Sequence, residues 1–279
     1  MFISIIIPVF NTRKALIQEC LESIKYLDGL CEYEVVIVDD GSTQSDTCEF
    51  LTTLSSGSQF KVIHQHNQGP AAARNNGIRN AQGKYILPVD ADDTILAEVS
   101  EFIAILKNKQ DIDILFGNYV FFGDKAGHLK HGIFHKYDLW FRSNQLWVSA
   151  FFSKNLWEKV GGYDETFETV EDWDFWCRCA AVGAQFTHIP YSHYAYRIIK
   201  DGQSLMQKTE NLVPEYHQKI LDKLPLSLIN YADLSEYVRY SFRKKPRKVF
   251  GLLLYLYMPR LYQTLCAKGW FSYQDDFLK

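Results

Sequence analysis

Along the first third of the chain, short apolar runs alternate with stretches in which apolar residues recur every three to four positions. Ile3 to Ile7 is β-branched apart from Ser4, Thr12 to Leu27 carries apolar residues at 16, 17, 20, 21 and 24, and Glu34 to Val38 ends in four apolar residues. A short continuous run suits a strand buried on both faces, and the wider spacing suits one face of a helix. The alternation continues with a helix over Asp46 to Leu54, a strand over Phe60 to His64, a helix over Ala71 to Asn80 and a strand over Tyr85 to Val89. Ala97 to Lys107 and Ile112 to Phe122 add a further helix and a further strand. Repeated strand, helix, strand units are most economically joined as a doubly wound parallel sheet flanked by helices. The middle third is less regular and aromatic, and from Leu212 the pattern is helical.

Composition bounds this reading. A chain of 279 residues, 47% hydrophobic, can bury a large core, which fits one α/β domain with an appendage or two small domains. A net charge of −3 is not that of a polyanion binder, so no nucleic-acid partner is expected. The six cysteines, at 20, 31, 48, 177, 179 and 266, form no Cys-x-x-Cys pair and read as reduced thiols of a cytoplasmic protein. The N-terminal run lacks a basic region and a cleavage site, so it reads as the first strand rather than a signal peptide. No run reaches the ~18 apolar residues of a spanning helix.

Candidate chemistry sits at the ends of two strands. Val35 to Val38 runs into Asp39-Asp40-Gly41-Ser42, and Tyr85 to Val89 runs into Asp90-Ala91-Asp92-Asp93. Both acidic turns therefore lie at the carboxyl edge of the sheet, where open α/β folds bind ligands. Carboxylates gathered there repel one another unless a cation or hydrogen-bond donors neutralise them, and Asp90-x-Asp92 has the hard oxygens that suit Mg2+ or Mn2+ shared with substrate phosphates. Either turn alone is an ordinary structural feature, since Asp-Gly and Asp-Asp are common turn formers. Asn67-Gln68-Gly69-Pro70-Ala71-Ala72-Ala73-Arg74-Asn75-Asn76-Gly77 makes a tight turn into a narrow-flanked helix with Arg74 one turn in, which suits close approach of a ligand or plain packing on the sheet.

Ser4 to Asn11, Val38 to Ser42, Asn67 to Gly77 and Asp90 to Asp93, in this order and spacing, resemble the family 2 glycosyltransferases of the GT-A fold, a Rossmann-like nucleotide-diphospho-sugar transferase fold. The resemblance continues through Gly161-Gly162-Tyr163-Asp164-Glu165, Glu171-Asp172-Trp173-Asp174 and, more loosely, Tyr194-x-Tyr196-Arg197, covering roughly residues 3 to 205. It implies a GT-A catalytic domain over 1–210, with a nucleotide-binding half at 1–93 and an acceptor-binding half at 94–210, followed by a helical, basic and aromatic region at 211–279. It further implies a metal-dependent, inverting, hexosyltransferase-type enzyme that moves a sugar from a nucleotide sugar, uracil being the usual base, to a glycan, lipid-linked or glycoprotein acceptor in surface-glycan assembly.

Residue by residue, the resemblance places Pro8, Val9 and Phe10 in the base pocket, Asp39 as acceptor from the base imide, and Asn67, Gly69 and Arg74 around it. Asp90 would hold ribose or sugar hydroxyls, and Asp92 would ligate Mn2+ or Mg2+. Asp93 stands between ligand and helix cap, and His193 between third metal ligand and ordinary polar residue. Arg197 and Ser204 would close on the diphosphate, with Asp201-Gly202 as hinge. Asp172 would be the general base and Glu171 a residue for donor sugar or acceptor. Independently of the family, Asp172 opens a predicted helix over Trp173 to Val182, and a helix N-terminus favours an ionised carboxylate; equally, acidic first-turn residues commonly serve the helix alone. Trp147, amid Trp140, Phe151 and Phe152, is the candidate acceptor platform, although most aromatics at this density are core.

Two other functions fit parts of the pattern. A sugar nucleotidyltransferase would carry a glycine-rich basic loop after the first strand, where Pro8 to Thr12 stands instead. A non-catalytic nucleotide-sugar binding or membrane-assembly protein would lack metal or base carboxylates, whereas Asp90, Asp92 and Asp172 are present. From Arg239 to Lys268 there are eight basic residues and no acidic one around the apolar run Val249 to Met258. That pattern suits peripheral contact with an anionic membrane face or docking on the catalytic domain or a second subunit, so a homo-oligomer stays open.

Overall fold

The apolar runs form the middle of a sheet in the computed structural model, which describes residues 1–199 apart from 58, 110, 133 and 142, then 208–224 and scattered positions between 234 and 265. In chain order the elements are β1 (Ile3–Val9), α1 (Lys14–Ser23), β2 (Tyr33–Asp39), α2 (Ser45–Ser55), β3 (Lys61–His64), α3 (Pro70–Arg79), β4 (Tyr85–Pro88), β5 (Thr94–Ile95), α4 (Val99–Asn108), β6 (Ile114–Phe116), β7 (Tyr119–Gly123), β8 (Gly127–Leu129), α5 (Lys136–Phe141), β9 (Phe151–Ser153), α6 (Lys154–Val160), α7 (Glu171–Ala181), β10 (Phe186–His188), β11 (Tyr194–Ile198) and α8 (Val213–Lys223). The main sheet has seven strands in the order β10-β6-β9-β4-β1-β2-β3, and a second sheet has four in the order β5-β11-β7-β8. β1, β2, β3 and β4 run parallel, while β9 enters antiparallel between β4 and β6.

Alternation along each strand divides two cores. Ile5, Ile7, Val9, Val35 and Ile37 face one side, under α1 and α4, whereas Ile6, Val36 and Val38 face the other, against α3, with Phe175 and Trp176 of α7 farther along that face. Since successive strand residues point to opposite faces, the runs had to be apolar throughout to be buried on both. Pro8 lies past the stretch of β1 that pairs with β4, which covers Ile3 to Ile6, so its missing N–H falls outside that ladder.

The structure departs from the periodicity in three places. The expected helix over Thr12 to Leu27 ends at Ser23 and tightens into a 3-10 turn over Ile24–Leu27. The expected strand over Ile112 to Phe122 is two strands in two sheets, split at Gly117, where any Cβ would collide with the Tyr191 carbonyl oxygen and the Phe102 ring. Helix α7 starts at Glu171, two residues before the expected start, after Val170 turns the chain at φ 54°. Beyond the main run, α8 joins the core built around α7. Tyr216 stacks on Phe167 at 4.9 Å, His217 on Trp173 at 4.6 Å, and Lys223 reaches both Asp164 and the buried Asp174 at 2.6 Å. Among the described residues, no helix is long and apolar enough to cross a membrane.

Candidate active site

Strand ends and two helix starts bring the acidic residues to one edge of the main sheet. At the end of β1, Val9 pairs with Asp39 of β2, and Phe10 projects beyond them with 49% of its surface exposed. Asn11 ties the two loops together: its N–H donates to Ser42 Oγ at 3.0 Å, and its Oδ1 accepts from the Thr43 and Gln44 N–H groups at 2.8 and 3.0 Å. Asp39 accepts the Ser42 N–H at 2.9 Å on Oδ1, and Oδ2 lies 3.0 Å from Nδ1 of the exposed His64. That histidine carried no sequence signal; only the β2–β3 register, which sets Asp39 opposite His64, could have suggested it.

Asp40 has a different occupation. Its oxygens accept from the Gln65 side chain at 2.8 Å and from the Gln68 and Gly69 N–H groups at 2.9 and 2.8 Å, which fixes the turn into α3. Gly69 holds φ at 89°, a left-handed conformation that costs glycine little. Asn67 stands exposed on the same turn.

One turn into α3, Arg74 is buried, and its guanidinium is shared by Glu171, through NH1, and Asp90, 2.6 Å from NH2. Its partners are therefore the second acidic turn and the start of α7. Flanking carboxylates outweigh desolvation and hold the Arg74 charge firmly. A buried guanidinium with two carboxylates offsets its desolvation only because both pairs are hydrogen-bonded.

The second acidic turn divides its labour. Asp93 is buried and accepts from the Tyr194 hydroxyl and, at 2.6 Å, from the Arg197 N–H, fastening β11 to the turn. It does not cap α4, which begins at Val99. Asp92 is half-buried, and burial together with the neighbouring Asp90 pushes its carboxyl up to about 6. Such a pair of mutually repelling oxygens fits a hard divalent cation with phosphate oxygens completing the shell. His193 is not beside it. The ring is buried, 4.2 Å from the Phe102 ring and 5.2 Å from that of Phe151, with Nε2 2.6 Å from the Ser149 carbonyl oxygen, and burial lowers its pKa to about 4. Among the described residues no group of three or more His, Cys, Asp or Glu side chains forms a metal cage, so the fit is for two carboxylates with substrate oxygens.

Arg197 donates from Nε to the Asp92 carbonyl at 2.6 Å and from NH2 to Glu19 at 2.6 Å, with its guanidinium 4.2 Å from the Phe122 ring centre. It thus braces the turn from above. Ser204, Asp201 and Gly202 lie outside the described residues.

Glu171 and Asp172 occupy the first turn of α7. Asp172 Oδ1 accepts the Trp173 N–H at 2.7 Å, and Oδ2 accepts the Asn144 side-chain amide at 2.9 Å. Burial and then Glu171 raise its pKa from the ordinary carboxylate range to about 7, against the lowering effects of Arg74, the Trp173 N–H and Asn144. The helix N-terminus, expected to keep this group ionised, is outweighed. Burial raises the hydroxyl of Tyr196 on β11, and the charges of Asp93, Asp90, Asp92 and Asp172 add to it, so this ring lies within reach of both acidic clusters. Trp147 is half-buried beside it, stacked on Tyr119 at 4.5 Å and edge-on to Tyr196 at 4.7 Å. Cys20, Cys31, Cys48, Cys177 and Cys179 are free thiols.

Comparisons with known proteins agree with this architecture. The family model described as glycosyl transferase family 2 matches residues 4–166. Glycosyltransferase GlyG of Streptococcus pneumoniae is 35% identical over 129 residues, 45% of this chain and 42% of that protein. An uncharacterized glycosyltransferase of Methanocaldococcus jannaschii is 28% identical over 207 residues, 70% of each chain. The chain thus spans less than half the length of the streptococcal relative, and only 23% of a Rickettsia conorii glycosyltransferase that it matches at 34% identity over 57% of its own length. S. aureus TarS 1-349 in complex with UDP-GlcNAc superimposes with a TM-score of 0.62 at 19% identity, over 98% of this chain and 89% of that one. The mannosyltransferase PcManGT from Pyrobaculum calidifontis, in complex with GDP-Man and Mn2+, gives 0.58 at 18% identity, over 96% and 84%. The fold is the GT-A fold of these enzymes.

Proposed function

The chain belongs to glycosyl transferase family 2, and from that premise we propose that it is a metal-dependent inverting glycosyltransferase taking its sugar from a UDP-linked donor. The observation that carries this reading is the Arg74 bridge, which joins Asp90 of the strand-end turn to Glu171, the neighbour of Asp172. In this reading Phe10 stacks on the base between Pro8, Val9 and the turn of Asn67 and Gly69. Asp39 accepts the imide N–H, a bond for which its carboxylate is already oriented by Ser42 and His64. Asp90 binds ribose or sugar hydroxyls through the oxygen that Arg74 leaves open.

Asp92, with Asp90 beside it, would hold one divalent cation. When bound, that ion supplies neutralising charge to the diphosphate leaving group. The chain's own residues then orient and deprotonate. Arg197 and Ser204 border the diphosphate, Trp147 offers its aromatic surface to the acceptor, Glu171 holds sugar hydroxyls, and Asp172 removes the proton of the attacking hydroxyl in a single displacement. A carboxylate whose pKa lies near neutrality is suited to that exchange, because it is ionised for attack yet basic enough to keep the proton.

In this proposal residues 1–210 form the catalytic domain, divided at 93 into donor and acceptor halves, with α8 packed onto its core, and the basic region 239–268 rests on an anionic membrane face. Exposure of Phe250, Tyr257, Met258 and Leu261 supports that contact, as does the run Arg243-Lys244-Lys245-Pro246-Arg247-Lys248. It suits a lipid-linked acceptor in surface-glycan assembly.

The test is calorimetric titration of UDP-glucose, UDP-galactose, UDP-N-acetylglucosamine and GDP-mannose, with Mn2+ or with chelator, on wild type and Asp92→Ala, alongside nucleotide release. Metal-dependent binding of a UDP-sugar, lost in Asp92→Ala, is expected. GDP-mannose binding alone would replace the uracil assignment, and no binding of any donor with Mn2+ would overturn the reading.

A further inference from the structure

The amide of Asn144 lies on the carboxylate of Asp172 although 28 residues separate them in sequence. Among the described residues two bonds hold that carboxylate: the Trp173 N–H at 2.7 Å on Oδ1 comes from its own helix, and the Asn144 bond at 2.9 Å on Oδ2 comes from the loop after α5. The loop is itself anchored. Ser143 N–H donates to the Asp138 carbonyl at 3.2 Å, Gln145 Nε2 to the His135 carbonyl at 2.9 Å, and Trp147 N–H to the Tyr119 hydroxyl at 2.8 Å. Asn144 Oδ1 accepts the Leu146 N–H at 3.3 Å, which fixes the end of the amide that faces Asp172. That end is NH2, which donates and cannot accept.

We propose that Asn144 is a positioning residue for the reaction, holding the Asp172 carboxylate in one orientation and favouring its charged form. The proposal rests on the base reading above. Its chemistry follows from the partners. A protonated carboxyl that turned its O–H toward Asn144 would meet a second donor, whereas the ionised group gains a charge-assisted bond. The other charged and titratable groups around Asp172, among the described residues, are Glu171 and the buried thiol of Cys177 on its own helix, Arg74 from α3, Tyr163 from the loop before α7, Tyr119 from β7 and Tyr196 from β11. Glu171 opposes ionisation, Arg74 spends its guanidinium on Glu171 and Asp90, and the three phenols are held neutral by burial. Among the described residues Asn144 is therefore the side chain that donates directly to the base, and because the same loop carries Trp147, it ties the orientation of the base to the proposed acceptor side.

The experiment is a pH titration of the aspartate carboxyl carbons by NMR in the full-length, 13C-labelled chain, with the Asp172 signal assigned by its loss in Asp172→Asn. Asn144→Ala should move the Asp172 midpoint upward by about one pH unit, and the nearly isosteric Asn144→Asp further, because it sets a second carboxylate where the donor stood. In parallel, UDP release from UDP-glucose, UDP-galactose and UDP-N-acetylglucosamine with Mn2+ should fall about tenfold in kcat in Asn144→Ala, with donor KM unchanged. An unchanged midpoint in folded Asn144→Ala or Asn144→Asp overturns the proposal, including the case in which kcat falls without it. Wild-type turnover in Asp172→Asn would instead overturn the base reading on which the proposal stands.

Discussion

Replacing Arg74 with methionine keeps a long apolar stem and removes the charge that Asp90 and Glu171 share. The Arg74 and Glu171 side chains are 5% and 9% exposed, so water reaches neither without a rearrangement, while Asp90 is 30% exposed and can be rehydrated. Removing one partner of a buried ion pair costs about 3–5 kcal/mol, mostly through the charge left behind, and hydration of Asp90 sets the expectation at the low end, about 3 kcal/mol. In a domain of this size that loss lowers Tm by about 6–12 °C. Urea and thermal unfolding followed by tryptophan fluorescence reads it directly, because Trp173 and Trp176 lie on α7 beside Glu171. Glu171→Gln in the Arg74→Met background removes the stranded charge, so the two changes should be non-additive by about 1–3 kcal/mol. A loss below about 1 kcal/mol for Arg74→Met, or simple additivity, would refute the idea that this guanidinium carries the two carboxylates.

Phe10→Ala should leave unfolding within about 0.5 kcal/mol of wild type, since the ring is half exposed, yet weaken UDP-sugar binding about tenfold, because ring-on-base stacking contributes about 1–3 kcal/mol; calorimetry and urea unfolding on the same samples check it. His217, buried against Trp173, has its pKa lowered to about 4 by burial, so the unfolded chain binds its proton first. Its contribution is therefore present above the unfolded pKa and lost as pH falls from about 6.5 toward 4, up to about 3 kcal/mol, and His217→Gln should show a shallower acid slope in urea titrations at stepped pH. Replacing Lys244, Lys245, Arg247 and Lys248 by alanine should abolish co-sedimentation with vesicles containing phosphatidylglycerol, at about 1 kcal/mol per charge, and leave UDP release unchanged; equal sedimentation of both proteins would remove the membrane from the account.

The N-terminal part of the fold was legible because its physics is local. Ile3 to Ile7, Val35 to Val38 and Tyr85 to Val89 are strands buried on both faces, and both acidic turns follow from strand ends that point to one sheet edge. What the sequence hid depends on contacts between distant residues. The apolar run through Ile112 to Phe122 gives no sign of its break, since Gly117 is required by a tertiary approach of Tyr191 and not by any turn signal. Arg74 could be assigned to the cleft but not to its partners, which come from positions 90 and 171. Asn144 carries no signal at all, because an asparagine between elements is what any loop contains. His193, which the sequence left between metal ligand and ordinary polar residue, packs its ring against Phe102 and Phe151, tertiary contacts that no local pattern announces. Helix α8, grouped by periodicity with a separate C-terminal region, shares the core of α7 through Tyr216 and His217.

The proposed reaction is a single displacement in which Asp172 is the base. The most direct test is proton NMR of the anomeric signal at the earliest times of hydrolysis of the UDP-α-sugar that the enzyme turns over, in wild type and Asp172→Asn. A single displacement makes the first free sugar the β anomer, with none released above background by Asp172→Asn; an initial α anomer, or undiminished release by Asp172→Asn, would contradict that mechanism.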